Sequence, residues 1–148
     1  MDRILKQPMA IEVKQLEMFG LITIKVDLSK VEVQALFRKL AGSNLIEERE
    51  IIVGSGVSIA WMSPDEVLVI CEYATIEKVR LEIVRHFKKI HCLIADMSDT
   101  RTFFQLAGDG WRDALAKGSP SDLSFRSFKE GMFMRSRLGN IAAVFWIL

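Results

Sequence analysis

Val57-Ser58-Ile59-Ala60-Trp61, Met62-Ser63-Pro64-Asp65 and Val67-Leu68-Val69-Ile70-Cys71 form the stretch that decides the fold. Two apolar runs flank a four-residue turn. Pro64 presets φ and Asp65 can bond its local backbone, so the runs should fold back on each other as an antiparallel hairpin. The second run is apolar throughout and reads as a strand covered on both faces. Just upstream, Ile51-Ile52-Val53 leads into Gly54-Ser55-Gly56. That glycine pair is not a phosphate loop. It lacks G-x-G-x-x-G and Gly-Lys-Ser/Thr, and it leads into a strand rather than a helix, so a hairpin turn is expected.

Further toward the N-terminus, Ile22, Ile24 and Val26 alternate with Leu21, Thr23, Lys25 and Asp27. This is the pattern of a strand with one clean apolar face. A helix should follow. Ser29 and Glu32 have capping-box spacing, Val33, Leu36, Phe37 and Leu40 recur at helical period, and Gly42 supplies the stop.

After the hairpin, Thr75 is a candidate N-cap for a helix running to Ile90. Ile76, Val79, Ile83, Phe87 and Ile90 form its apolar stripe, while Arg80, Glu82, Arg85 and Lys88 face elsewhere. Cys92–Met97 and Thr102–Ala107 read as strands, and Trp111–Lys117 as a short helix ended by Gly118 and Pro120. Residues 132–138 and 141–148 flank Gly139-Asn140, which predicts a terminal hairpin. Neighbouring hairpins with two long helices on one sheet face predict an α+β fold, mostly antiparallel, in a single domain spanning 1–148.

Composition limits function. Half of the 148 residues are apolar and the formal net charge is +1. Nucleic acid is not the expected partner, because phosphate binding needs a concentrated basic excess. No apolar run approaches the ~20 residues that span a bilayer, and the N-terminus lacks the apolar core of a secretory signal. A cytoplasmic location without membrane contact is the expectation. Cys71 and Cys92 lack metal-site spacing and read as reduced thiols, so no metal is expected.

Catalytic groups are sparse. His86 falls on the polar side of the long helix, and His91 and Cys92 would face opposite ways in a strand. A hydrolase built on Ser63 or Cys92 lacks a base at any recognisable spacing. The densest polar cluster is Asp96-Met97-Ser98-Asp99-Thr100-Arg101. It reads as a turn with Arg101 paired to Asp96 or Asp99. The competing reading makes Arg101 a carboxylate clamp oriented by Asp99. No catalytic residue is assigned.

The order of these pieces resembles a known family. Trp61-Met62-Ser63-Pro64-Asp65-Glu66, Asp96–Arg101, Leu106-Ala107-Gly108, Ala114–Gly118, Pro120-Ser121-Asp122-Leu123 and Arg135–Gly139 are similar in order and spacing to the gamma subunits of heterotetrameric sarcosine oxidase. The resemblance covers the chain from about Gly20 onward. It implies a fold like the folate-binding domain of aminomethyltransferases and alpha, beta and delta partner subunits. The implied complex oxidises sarcosine to glycine, makes hydrogen peroxide and passes the methyl carbon to tetrahydrofolate. FAD, FMN, NAD and the folate lie with other subunits, and gamma carries no known catalytic group. The alternative the resemblance leaves open is a stand-alone folate-binding module, with Trp61, Asp99 and Arg101 as its ligand candidates. Relatives continue past the position of Leu148 with a strand and an amphipathic helix. The apolar run Ile141–Leu148 is thus expected to be covered by a partner through Phe145, Trp146 and Leu148, or to drive a homodimer when isolated.

Overall fold

The computed structural model describes residues 10–43 and 47–148. In chain order the strands are β1 (Glu12–Gln15), β2 (Phe19–Lys25), β3 (Ile51–Val53), β4 (Val57–Ser63), β5 (Glu66–Glu72), β6 (Leu93–Asp96), β7 (Phe104–Ala107), β8 (Phe133–Leu138) and β9 (Ile141–Trp146). The helices are α1 (Val31–Ala41), α2 (Ile76–His86) and the short α3 (Trp111–Ala116). The fold is α+β and its strand pairs are all antiparallel.

A five-stranded sheet in the order β3-β4-β5-β2-β6 forms the centre. Without the short β3, it is a β-α-β-β-α-β unit whose order, β4-β5-β2-β6, is that of a ferredoxin-like split βαβ. The β4–β5 hairpin turns at Pro64-Asp65, with Ser63 opposite Glu66, as its turn residues require. The β3–β4 hairpin turns through Gly54-Ser55-Gly56. Gly54 has no room for a side chain: a Cβ there would lie 2.5 Å from the Val57 carbonyl oxygen and 2.7 Å from Ala41 Cα.

Both faces of the sheet are buried. Ile22, Ile24, Ile59, Val67, Val69 and Cys71 point to one side and pack against Val33, Leu36 and Phe37 of α1 and Ile76, Val79 and Ile83 of α2. Leu21, Ala60, Met62, Leu68 and Ile70 point to the other, where Phe103, Phe133 and Trp146 cover them. β2 therefore departs from the expected single apolar face. Leu21 is fully buried because the terminal hairpin and Phe103 supply a second layer. The expectation for Val67–Cys71, covered on both faces, matches.

Both helix starts differ in detail from the sequence expectation. Ser29 does not cap α1: its N–H and hydroxyl both donate to the Asp27 carboxylate, at 3.0 and 2.6 Å, and Lys30 becomes the cap. Thr75 precedes α2, but its hydroxyl donates back to the Glu72 carbonyl within a 3-10 turn, Tyr73–Thr75. Gly42 closes α1 as expected, in the left-handed conformation (φ 81°) that glycine adopts without a Cβ penalty. α2 ends at His86 rather than Ile90. Phe87 still donates to Ile83, then Ile90 donates to Phe87, and the chain tightens into turns that deliver it to β6.

β1 is a strand that periodicity does not reveal. Glu12-Val13-Lys14-Gln15 is exposed throughout and is held by pairing with β7. The terminal hairpin forms a separate two-stranded sheet around Gly139-Asn140, as predicted.

Candidate functional site

Four separated segments meet at a cavity of about 780 Å³. They are the Glu48-Arg49 turn, the end of β4 from Trp61 to Pro64, the loop carrying Ser121, Asp122 and Ser127, and β8 from Phe133 to Ser136. Three of them belong to motif pieces quoted above: the Trp61 hairpin, Pro120–Leu123 and Arg135–Gly139. Segments 73 residues apart are thus joined in space, as between Met62 and Arg135.

The walls are tied by hydrogen bonds. Arg135 Nη1 donates to the Met62 carbonyl at 2.6 Å. The Ser121 hydroxyl donates to Ser136 Oγ at 2.6 Å, and Ser119 Oγ lies 3.1 Å from the same atom. The Asp122 carboxylate accepts from the Ser127 hydroxyl and the Ser124 N–H. Those bonds, with the Ser127 hydroxyl foremost, hold its pKa below the ordinary carboxylate value. Arg49 stands in the left-handed region (φ 63°), the one non-glycine to do so among the described residues. Its carbonyl accepts from the Phe133 N–H, so the turn is pinned to β8.

The ligand candidates separate. Trp61 lines this cavity; Asp99 and Arg101 do not. The Asp96–Arg101 segment forms a 3-10 turn, Ser98–Thr100, after the edge strand β6. At its centre is Ser98, buried, which donates its hydroxyl to Asp96 Oδ1 at 2.6 Å and accepts the Leu21 N–H at 3.0 Å. The turn fastens the end of β6 to the start of β2. The expected ion pair of Arg101 with Asp96 or Asp99 does not form; the cation acting on Asp96 is Arg80. Ser63 donates to Asp65 Oδ1 at 2.9 Å, and desolvation raises the thiol pKa of half-buried Cys92. The carboxylate beside Ser63 belongs to its own turn, and among the described residues no histidine is hydrogen-bonded to Ser63 or Cys92. Among the described residues no group of three or more His, Cys, Asp or Glu side chains is arranged to hold a metal, and no helix is long and apolar enough to cross a membrane.

A second, apolar groove of about 340 Å³ runs between β7 and β9. Phe145, Trp146 and Leu148 all line it. Their environments differ. Trp146 packs inward, 5.8 Å from the Phe133 ring and 6.2 Å from Phe103. Phe145 is half-buried, and Leu148 is 79% exposed. Among the described residues, β8 is the only strand paired with β9. Beside this groove, Arg112 is stacked 4.4 Å over Trp111 and 4.1 Å from the ring of exposed Phe125, while donating to the Leu123 and Phe128 carbonyls. Nothing in the spacing of Trp111-Arg112 announced this cluster, since Phe125 arrives from a loop.

No protein-family model matches the chain, and no curated protein matches it. Among solved structures it is similar to a chain of the heterotetrameric sarcosine oxidase from Corynebacterium sp. U-96, determined in complex with pyrrole 2-carboxylate. The TM-score is 0.78 at 21% identity, over 92% of this chain and 69% of that one. The α+β architecture described above is therefore the fold of a chain found in a heterotetrameric sarcosine oxidase.

Proposed function

We propose that this chain is a non-catalytic, gamma-type subunit of a complex resembling heterotetrameric sarcosine oxidase. The likeness in fold over 92% of the chain carries the reading. The sparse acid–base chemistry and the motif series support it. In this reading the chain joins alpha, beta and delta subunits in the cytoplasm, FAD and FMN lie in beta, NAD and tetrahydrofolate lie with alpha, and the complex demethylates sarcosine. The present chain contributes surface rather than chemistry. Its docking edge is β9, with Phe145 and Leu148 at the apolar groove. Without partners, the same edge pairs two copies of the chain, because soluble proteins rarely leave an apolar edge open. Co-expression with the three other subunits tests the proposal: a stable complex supports it, and a chain that never co-purifies refutes it.

A second reading, a stand-alone folate-binding module, is favoured by one observation: Trp61 lines a cavity within the size range of small-molecule sites. Asp99 and Arg101 do not join it there. Calorimetric titration with tetrahydrofolate separates the readings, since a silent titration at millimolar ligand removes the second.

A further inference from the structure

We propose that the groove between α1 and α2 docks an acidic segment of a partner protein. The uncompensated positive charge of the helix layer carries the inference.

Charge is spread unevenly along the chain. Residues 28–43 and 73–91, which contain the two helices, carry eight Lys or Arg against three Glu, a net +5 in a chain whose total is +1. Asp27, Glu72 and Asp96 lie just outside these segments and reduce the excess to +2 without reversing it. Both helices cover the same face of the central sheet, so the excess is gathered on one side of the molecule.

The groove has a volume of about 400 Å³ and is lined by Lys39, Lys78, Glu82, Arg85 and His86. Lys39 is paired with Glu82 at 2.6 Å. The His86 Nε2–H donates to the Glu32 carbonyl at 3.0 Å. These two contacts brace α1 against α2, so the walls are set before a partner arrives. Lys78 and Arg85 are exposed, and neither forms an ion pair among the described residues. With Lys39 and Glu82 cancelling, they leave two positive charges in the groove. Their spacing is two helical turns, so they share one face of α2, about 10 Å apart along its axis. A few residues of an acidic stretch span that distance. Lys88 and Lys89, exposed just past the end of α2, extend the positive surface.

The other side chains favour a protein over other polyanions. Glu32, Glu77 and Glu82 are interspersed with the cations. A phosphate backbone, with one charge about every 1.7 Å of duplex, would meet these acids as well as the cations. Leu81 and Val84 of the same helix are 43% and 40% exposed. They offer apolar contact beside the charges, the mixture that protein interfaces use. The groove lies across the central sheet from β9. The inference therefore does not depend on the subunit reading or on its docking edge.

The test is titration of the isotope-labelled full chain with poly-L-glutamate, duplex DNA and phosphatidylserine vesicles, followed through backbone amides. It is run at about 0.1 M salt, where exposed charges more than about 10 Å apart are largely screened. Poly-L-glutamate should perturb the amides of Lys39, Lys78 and Arg85 and bind about tenfold more tightly than DNA or vesicles. Lys78→Glu combined with Arg85→Glu should weaken it about tenfold. Lys117→Glu combined with Arg137→Glu makes the same change in net charge at exposed positions outside the groove. That control should bind as the parent does. If the groove variant does not fold, Lys78→Gln combined with Arg85→Gln supplies the second test, with a smaller loss in the same direction. Absence of binding, preference for DNA or vesicles, perturbations centred away from α1 and α2, or equal weakening in the groove and control variants would overturn the proposal.

Discussion

Arg135 on β8 donates to the carbonyl of Met62 on β4 at 2.6 Å, and so ties the terminal hairpin to the central sheet across 73 residues of sequence. Met62 lies in the part of β4 beyond the reach of β3, whose pairing ends at Ile51–Ala60. A side chain does there what a strand does elsewhere along β4. Arg135→Ala should lower the unfolding free energy by about 0.5–1.5 kcal/mol, the range of a typical intramolecular hydrogen bond, since Arg135 is exposed. Arg135→Lys should lose less. Urea denaturation of the three proteins checks the order.

Ser98 makes a second long-range tie. Its oxygen accepts the Leu21 N–H while its proton goes to Asp96. Ser98→Ala removes both bonds and leaves the Leu21 N–H unpaired beside a core residue. The expected cost is about 1–3 kcal/mol. Asp99→Ala, at an exposed position in the same turn, should change stability by less than about 0.5 kcal/mol. Equal losses in the two variants would contradict the structural role given to Ser98.

Asp96 also predicts an acid response. The Ser98 hydroxyl, followed by the Ser98 N–H, holds its pKa below the ordinary 3.8, and the charge of Arg80 acts in the same direction. A carboxylate with a depressed folded pKa stabilises the fold fully above its unfolded value. That contribution disappears as pH falls through the folded value. Asp27, held down by Ser29, and Asp122, held down by Ser127, behave alike. Urea midpoints should therefore fall steeply below about pH 4, and Asp96→Asn should make the fall shallower. An unchanged acid limb in Asp96→Asn would show that Asp96 is not one of its sources.

Much of the fold is legible in the sequence where local chemistry and packing agree. The Pro64-Asp65 turn, the apolar run Val67–Cys71 and the Gly139-Asn140 hairpin are examples. Legibility fails where a distant segment decides the outcome. Leu21 looks solvent-facing until Phe103 and Trp146 arrive to cover it. β1 has no apolar period and exists by pairing with β7. Ser29 has capping-box spacing, but Asp27 takes its hydroxyl first. The cavity is half legible. Trp61 was a candidate from its motif, whereas Arg135, Ser121 and Ser136 join it through tertiary closure that no spacing records. The local polarity that marks Asp99 and Arg101 in the sequence belongs to a turn.

The exposed end of β9 predicts an association state. Leu148 is 79% exposed, so Leu148→Lys should leave the fold intact. It should also weaken any association through that edge. Light scattering of the isolated chain should report a dimer, and the variant should shift toward monomer. A parent that is monomeric at all concentrations would count against pairing through β9.

The role proposed for this chain is that of a subunit. Native mass spectrometry after co-expression with the alpha, beta and delta subunits tests it most directly. The expected result is one complex that contains all four chains, oxidises sarcosine and keeps this chain through purification. A fully active alpha–beta–delta assembly, with this chain recovered free of it, would rule out the subunit role.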